Sequence, residues 1–487
     1  MYVVHVRRKF LEQEIDMDRK WWALVAVALG TFMTYLDNNV VNVALPSIQR
    51  DLGLSISGLE WITSAYVLVF AGLLLAGGRI ADVLGTRGVF LGGLAVFTLA
   101  SIGAGLADSQ EVLIGMRAVQ GVGAALLTPA ALALITQLFP DPRERATAIG
   151  IWGGVGALAL AIGPFTGGIL SQHASWGWIF LINAPIGVAT AALALATFPA
   201  AVRSGTNRGF DVPGVATSSL ALFALTYALI EGESRGWTSG TILAAFAVAA
   251  AAAIAFVVVE TRSANPMMDL GFLRQRVFTG GLLVMGLWAF GVFGIYFYMA
   301  IYLQNVLGFS PTEAGSAFIP MALIMAVTAI VAPRVEARFG AARTVAVGLA
   351  LMAIAIFGIS GYGEGTSYLQ LLPWFALYGI GGGALVPLNN VIVGALPASR
   401  AGIASGMLNV SREVFGLLGI TILGAILTNR SNAASGAELH RYLAGYQFSL
   451  VVAAILVALG VPVALWSLRS VEQSSADEPA PAEPALV

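Results

Sequence analysis

Fourteen long apolar stretches dominate this sequence and limit what the chain can fold into. A helix that crosses the hydrocarbon core of a bilayer needs about 20 mostly apolar residues, and fourteen stretches approach or exceed that length. They cover residues 22–45, 59–80, 88–107, 111–139, 146–171, 177–199, 212–232, 239–260, 277–303, 313–333, 343–361, 369–396, 401–428 and 446–468. The sequence therefore predicts an all-α integral membrane protein with fourteen transmembrane helices.

The composition supports a chain whose surface faces lipid. Hydrophobic residues make up 58% of the 487 residues and charged residues only 10%, against about 25% charged in soluble proteins. The net charge of −1 and the lack of a basic patch argue against nucleic-acid binding. Cysteine is absent, which excludes disulfides and thiol nucleophiles. All three histidines fall outside the stretches and no metal-ligand spacing or polar pore ring is evident, so we expect neither an enzyme nor a channel.

Basic residues set the expected orientation in the membrane. With the N-terminus inside, 19 of the 25 Lys and Arg residues lie in inner segments, 4 lie outside and 2 fall within spans, as the positive-inside rule requires. Fourteen spans then place both termini in the cytoplasm. The charged segment 1–20 lacks the apolar core of a cleavable signal peptide. The sequence leaves open whether Met1 or Met17 is the native start.

An internal repeat divides the chain. Three positions of one copy recur 258 residues later: Gly121, Gly123 and Pro129 match Gly379, Gly381 and Pro387. Each copy has six helices and starts on the same side, so we predict two six-helix bundles related by a parallel pseudo-repeat, with two inserted helices between them. The expected divisions are a cytoplasmic N-terminal segment (1–20), an N-terminal bundle (21–199), the two inserted helices with linkers (200–275), a C-terminal bundle (276–469) and a disordered cytoplasmic tail (470–487).

Four charged residues within the spans are the first candidates for function. They are Asp37, Arg117, Arg412 and Glu413. A charge in a membrane span costs about 2.5–3.5 kcal/mol on insertion scales, so it is a functional candidate by default. Duplicated six-helix bundles with such charges are typical of transporters whose substrate site lies between the halves.

Each of these charges has a functional and a structural interpretation. Asp37 could take up and release a proton or contact a cationic substrate, or simply hydrogen-bond to a neighbouring helix. Arg117 could tune a nearby carboxylate or anchor backbone carbonyls. Arg412 and Glu413 point about 100° apart on a helix and need not pair with each other. Glu413 is a second protonation or substrate site, or part of a packing ion pair with another helix.

Polar and aromatic residues near these charges are candidates for a substrate cavity, because aromatic faces attract flat cations. The alternative for each aromatic, including Trp61, Trp288 and Tyr298, is a lipid-facing or interfacial position. Besides Arg412, the cavity candidates are Asn38, Asn39, Asn42, Tyr66, Trp152 and Tyr296.

Two glycine-containing segments are candidates for gating. In GGRIADVLGTRG, glycines permit close approach and a tight turn, and a carboxylate can cap the inner end of a neighbouring helix or be an ordinary loop acid. In the fifth span, small residues allow close helix contact and a proline favours a hinge, although glycine occurs in many membrane helices by chance. The candidates are Gly78, Asp82, Gly85, Arg87, Gly163, Pro164, Gly167 and Gly168.

These motifs resemble the major facilitator superfamily, and within it the fourteen-span drug:proton antiporter family, from Trp21 to about Arg469. The motifs are LDNNVVNVALP (36–46), GRIADVLGTRG (78–88), IGMRAVQGVGAA (114–125), AIGPFTGGIL (161–170) and SWGWIFLINAPIG (175–187). Asn39 stands where the family usually has Thr, and Gly177 stands where it usually has Arg, which leaves the substrate spectrum open.

The resemblance implies proton-driven export of drugs or antibiotics by alternating access, without a cofactor, from a bacterial plasma membrane. It implies that Asp37 and Arg117 take part in proton coupling, that Asp82 gates the inner face, and that Gly163 and Pro164 set antiport geometry. We expect a monomeric protein whose ligands are protons, a small molecule and lipid. Dedicated export of one natural product stays open, whereas symport is disfavoured by the fifth-span motif.

Overall fold

A computed structural model describes residues 2–199, 211–263, 266, 270–396 and 401–469, with side chains from Arg19 onward except at positions 142, 146, 157, 233, 401 and 402. Helices make up nearly all of this part of the chain, and it contains no strand. Fourteen of its helical segments are long and apolar enough to cross a membrane. The predicted all-α fold with fourteen transmembrane helices is therefore confirmed. The expected tail 470–487 lies outside the described residues.

The helices follow one another with short connections. The first nine are α1 Tyr2–Leu52, α2 Ile56–Leu84, α3 Thr86–Gly105, α4 Gln110–Leu138, α5 Pro142–His173, α6 Trp178–Leu181, α7 Asn183–Thr197, α8 Val212–Arg235 and α9 Gly240–Arg262. The remaining eight are α10 Arg276–Ile301, α11 Pro311–Ala317, α12 Ile319–Phe339, α13 Ala341–Ser360, α14 Tyr368–Gly383, α15 Val386–Gly394, α16 Ala401–Ala433 and α17 Glu438–Ser467.

Three of the fourteen spans are built from two helices, and a fourth changes its winding. The sixth span breaks at Ile182, between α6 and α7, and the tenth breaks at Phe318, between α11 and α12. The twelfth breaks just before Pro387, which lies at the start of α15, because proline cannot donate the backbone hydrogen bond of a helix interior. The ninth continues from α10 into a π-helix over Tyr302–Val306, a winding that often marks functional sites.

Side-chain caps fix several helix starts. Ser55 accepts a hydrogen bond from the backbone N–H of Gly58 at the start of α2, and Asp141 accepts two at the start of α5. Ser310 and Glu313 form a reciprocal capping box on α11. Such caps satisfy the backbone donors that a helix leaves unpaired in its first turn.

The chain divides into two compact units. One unit comprises Met1–Met267 and Phe297–Ile319, and the other comprises Met268–Tyr296 and Pro320–Val487. In the first unit, α8 and α9 pack against each other and α8 packs on α2. The inserted helices therefore belong to the first unit, which also takes in the end of α10, the π-helix and α11.

Matching glycines support the predicted repeat inside each unit. In the first unit, Gly121 of α4 lies against the backbone of Tyr66 on α2, and Gly123 lies against Phe97 on α3. In the second unit, Gly379 of α14 lies against Met321 on α12, and Gly381 lies against Gly348 on α13. A side chain at any of these glycines would overlap a neighbouring backbone, so the same close helix contacts are built twice.

Candidate functional site

Asp37 of α1 lies at the centre of a buried polar network in the first unit. Its side chain is fully buried. Oδ2 accepts a hydrogen bond from Nη1 of Arg117 on α4 at 2.5 Å. Oδ1 accepts bonds from Nε2 of Gln120 at 3.0 Å and from Nδ2 of Asn183 at 2.9 Å. The carboxylate therefore has three donors from two other helices.

Arg117 is equally enclosed. Its Nε donates to the backbone carbonyl of Ile62 on α2 at 3.1 Å, and its Nη1 also donates to Oε1 of Gln120 at 3.0 Å. The guanidinium carbon lies 4.4 Å from the ring centre of Tyr66 and 5.6 Å from that of Phe180. Hydrogen bonds and aromatic faces together replace the water that a charged guanidinium would otherwise need.

Ser101 of α3 joins the two amides of the network. Its Oγ accepts hydrogen bonds from Nε2 of Gln120 at 2.7 Å and from Nδ2 of Asn183 at 3.3 Å, and it donates to the carbonyl of Phe97. The network therefore ties together α1, α2, α3, α4 and α7. Asn183 is the first residue of α7, so the break in the sixth span brings it next to Asp37.

Two atoms of the network are left without a hydrogen bond among the described residues. They are Nη2 of Arg117 and Oδ1 of Asn183, and both are buried. Buried polar atoms of this kind are rare in native structures. A proton or water that moved through the network would find a spare donor and a spare acceptor beside the ion pair.

The asparagines predicted to line a cavity have different surroundings. Asn39 is buried, and its Nδ2 donates to the carbonyl of Tyr35 at 2.7 Å. Oδ1 of Asn42 is buried without a partner among the described residues, while Asn38 is partly exposed. Asn42 and Asn38 stay predicted cavity residues.

Two aromatic cavity candidates of the first unit contact protein groups. Trp152 donates from Nε1 to Oγ1 of Thr31 at 2.7 Å. Tyr66 is 2% exposed and covers the guanidinium of Arg117. The structure therefore gives Tyr66 a role in enclosing the ion pair, which its sequence neighbours did not indicate.

In the second unit, Arg412 and Glu413 of α16 pair with each other. Nε and Nη2 of Arg412 donate to Oε1 of Glu413 at 3.0 and 2.7 Å. The two neighbours were expected to point in different directions, without any need to pair, and in this structure they form an ion pair. Oε2 of Glu413 is buried without a partner among the described residues. Tyr296, in the same unit, lies near Tyr378.

The turn between α2 and α3 carries the first gating segment. Gly85 has a φ of +95°, a conformation that favours glycine, so the predicted tight turn is confirmed. Nη1 and Nη2 of Arg87 donate to the carbonyls of Phe198 and Leu195 at the end of α7. The close approach predicted for Gly78 falls instead on Gly77, where a side chain would overlap the backbone of α4.

Asp82 lies three residues before Gly85, near the end of α2. It lies 3.9 Å from Arg79, three residues earlier on α2, and its side chain is half exposed. The capping of a neighbouring helix that the sequence suggested is not among its contacts in the described part of the chain. Its role as an inner gate stays a prediction.

The small residues of α5 make two close helix contacts. Gly163 and Gly167 lie against Asn39 and Val40 of α1. Gly168 lies against the backbone of Pro311 at the start of α11, and Gly315 of α11 lies against the carbonyl of Pro164. These four predicted residues therefore form a joint between α5 and two other helices of the first unit.

Sequence reasoning missed several buried polar residues. Gln120 lies three residues after Arg117 on the same helix face, and Asn183 interrupts an apolar span, so both carried a weak signal. Glu60 of α2 and Glu231 of α8 also lie within predicted spans, close to an end. No group of three or more acidic or His residues that could hold a metal ion occurs in the described residues.

Solved structures of membrane transporters share this fold. A bacterial homologue of the human lysosomal transporter Spinster, in an inward-facing and unoccupied conformation, gives a TM-score of 0.68 at 18% identity, over 93% of this chain and 98% of that one. The peptide transporter POT in complex with sulfate gives 0.67 at 14% identity, over 92% and 95%. The fold is therefore that of a polytopic transporter.

The family follows from the sequence comparisons. The model of the Major Facilitator Superfamily matches residues 27–420 and 289–487, and this protein belongs to that superfamily. It is 36% identical to the puromycin resistance protein pur8 of Streptomyces alboniger, over 94% of this chain and 93% of the relative. It is 36% identical to the methylenomycin A resistance protein of Streptomyces coelicolor, over 88% and 90%. It is 32% identical to the multidrug efflux pump LfrA of Mycolicibacterium smegmatis, over 92% and 89%. The predicted resemblance is confirmed.

Proposed function

We propose that this protein exports drugs, antibiotics or other amphipathic small molecules in exchange for protons, by alternating access. The observation that carries the proposal is the enclosed Asp37–Arg117 pair at the centre of the first unit. An ion pair so deep in a membrane helix bundle is expensive to keep, and coupling to a proton gives a reason for keeping it. Relatives named for antibiotic resistance and multidrug efflux support the choice of export.

The network suggests how a proton acts. While Asp37 is ionised, Arg117 and two amides hold it, and α1, α4 and α7 are tied together. A proton on Asp37 removes the negative charge that balances the guanidinium. Arg117 is then a buried charge without an ionic partner, and the bundle must rearrange to pair or hydrate it. Proton binding thus favours a second conformation.

The remaining parts of the proposal concern substrate and setting. Substrate binds among the predicted cavity residues. The protein works in a bacterial plasma membrane, as a monomer with both termini in the cytoplasm. The chain's own residues, driven by the proton gradient, carry out the cycle without a catalytic step on the substrate.

A dedicated exporter of one natural product is the second candidate. Several relatives are named for a single antibiotic, among them the tetracenomycin C resistance and export protein of Streptomyces glaucescens and the cephamycin export protein CmcT of Amycolatopsis lactamdurans. A panel of unrelated antibiotics and dyes separates the candidates. Resistance to one member of the panel indicates a dedicated exporter, and resistance to several indicates multidrug efflux.

The test is efflux of a fluorescent cationic dye and of the panel compounds from bacterial cells, with and without a protonophore. Asp37→Asn is compared with Asp51→Asn, a matched change on the same helix whose carboxylate only accepts a bond from Trp176 at 2.9 Å. We expect a protonophore or Asp37→Asn to abolish export and Asp51→Asn to retain it. Full export by an expressed Asp37→Asn variant would contradict coupling through Asp37.

A further inference from the structure

A second buried carboxyl lies in the first unit, outside the Asp37 network. Glu60 is in the second turn of α2 and is 2% exposed. Its Oε1 accepts a hydrogen bond from the hydroxyl of Tyr298 at 3.0 Å, and Tyr298, near the end of α10, is also 2% exposed. Neither the proposed coupling pair nor the predicted gates use this carboxyl.

The ionisable groups around Glu60 do not neutralise it. The helices packed against α2 carry these described acidic and basic side chains: Arg19, Lys20, Asp37, Arg50 and Asp51 on α1, Arg87 on α3, Glu111 and Arg117 on α4, and Glu231 and Arg235 on α8. Arg117 is paired with Asp37. Arg235 is paired with Glu231 at 3.2 Å. No basic residue lies within ion-pair distance of Glu60 in the described part of the chain.

The carboxyl of Glu231 on α8 has partners of a kind that Glu60 lacks among the described residues. Glu231 itself is stabilised, since Nε1 of Trp61 donates to its Oε1 at 3.0 Å and Arg235 pairs with its Oε2. Of these two carboxyls, Glu231 has a cation as a partner, whereas Glu60 has only a tyrosine hydroxyl among the described residues.

Burial without a cation decides the charge of a carboxyl. An ionised carboxylate in an apolar site costs many kcal/mol, so the group takes up a proton instead. One hydrogen bond from a tyrosine hydroxyl is far less compensation than the guanidinium and two amides that surround Asp37. The neutral acid keeps a carbonyl oxygen that accepts the Tyr298 bond, so the observed contact fits the protonated form.

We propose that Glu60 is a second proton-binding site, and that Glu60 carries a proton in this conformation. The role in transport rests on the proton-coupled export proposed above. Tyr298 is a positioning residue, because its hydroxyl can donate to the acid and to the carboxylate and so holds Glu60 in place as the proton leaves. Release is the simple dissociation of Glu60–COOH into a carboxylate and a proton.

Tyr298 lies close in the sequence to the boundary between the two compact units. Residues of α10 up to Tyr296 belong to the second unit, and those from Phe297 onward belong to the first. The partner of Glu60 is therefore two residues past the point where one continuous helix leaves one unit for the other.

Infrared spectroscopy of the purified protein in lipid nanodiscs at neutral pH tests the protonation without any substrate. We expect a carbonyl band of a neutral carboxylic acid that disappears in Glu60→Gln and shifts in Tyr298→Phe, which loses the hydrogen bond. Glu231→Gln, a matched change on the neighbouring helix, leaves the band in place. A band that is unchanged in Glu60→Gln overturns the proposal. If Glu60→Gln does not fold, a band that is unchanged in Tyr298→Phe overturns it.

Transport measurements then test the role of this proton. In vesicles with a fixed proton gradient, the measured quantity is the ratio of dye concentrations across the membrane. We expect this ratio to be roughly ten-fold or more lower for Glu60→Gln than for the wild type, because the variant exchanges one proton fewer per substrate. Glu231→Gln should sustain the wild-type ratio. An unchanged ratio in Glu60→Gln overturns the coupling role. If the wild type moves no dye, the export proposal fails, while the infrared result still decides whether Glu60 is protonated.

Discussion

At the scale of single residues, two buried carboxyls of the first unit have different hydrogen-bond partners. Asp37 accepts hydrogen bonds from Arg117 and from the amides of Gln120 and Asn183. Glu60 accepts one bond from a neutral donor among the described residues. Because desolvation penalises only the charged form of a carboxyl, this difference in partners is the basis for proposing that Glu60 binds a proton.

The Asp37–Arg117 pair gives a prediction about stability. We expect Arg117→Ala to lower the free energy of unfolding by about 3–5 kcal/mol, because it leaves Asp37 as a buried charge without its cation. The matched change is Arg235→Ala, which removes an exposed pair with Glu231 and should cost about 0–1 kcal/mol. Thermal unfolding of the purified variants in detergent measures both.

The double change Asp37→Asn with Arg117→Gln is the control for this interpretation. Removing both charges leaves neutral amides that can hydrogen-bond to Gln120 and Asn183, so the double variant should be more stable than Arg117→Ala. A double variant as unstable as the single one would show that the shape of the arginine, including its contact with Tyr66, matters more than the charge balance.

At the scale of helices, α5 contacts two neighbouring helices through small residues. Its glycines approach α1 on one side and α11 on the other. Helices in lipid associate through close packing rather than through the hydrophobic effect, so small residues at such contacts carry much of the affinity. The α-helix α5 continues through Pro164, and α11 contacts α5 at this proline and at Gly168.

The contact between α5 and α11 gives a prediction about transport. A Cβ at Gly168 would overlap the backbone of Pro311, whereas one at Gly154, also on α5, would meet nothing within 4 Å. We therefore expect Gly168→Val to separate the helices and to reduce dye efflux at least ten-fold, and Gly154→Val to retain it. Equal efflux by the two variants at equal expression would argue against a role for this contact in the cycle.

At the scale of the whole molecule, the same close glycine contacts between helices occur in both units. In each unit, a glycine-rich helix lies between two others at backbone distance. The charged network is confined to the first unit, because the position that matches Arg117 is Phe375. The second unit instead carries the Arg412–Glu413 pair.

Orientation in the membrane is tested most directly through the lack of cysteine. We expect Ser435→Cys, between α16 and α17, to react with a membrane-impermeant maleimide added to intact cells. Pro140→Cys, between α4 and α5, should react only after the cells are permeabilised. Both sites are in connections between helices. The reverse labelling pattern would place the termini outside.

The sequence by itself determined the number of spans, the repeat and the presence of two charges, Asp37 and Arg117, within spans. These follow from local properties, since about 20 contiguous apolar residues define a span and a charge within one is conspicuous. Gly85 was predictable for the same reason, because a tight turn between two helices favours glycine. The division of the chain into bundles at 21–199 and 276–469 stays a prediction.

Only the tertiary structure decided which polar residues share a site. Gln120, Ser101 and Asn183 gather around Asp37 from positions 64 to 146 residues away along the chain, a convergence that depends on how five helices pack. Glu60 escaped notice at the end of a span, where a carboxylate usually reaches water, and only its contact with Tyr298 shows that it is enclosed. The length of an apolar stretch is a local property of the sequence. The surroundings of a buried charge depend on how helices that are distant in the chain pack together.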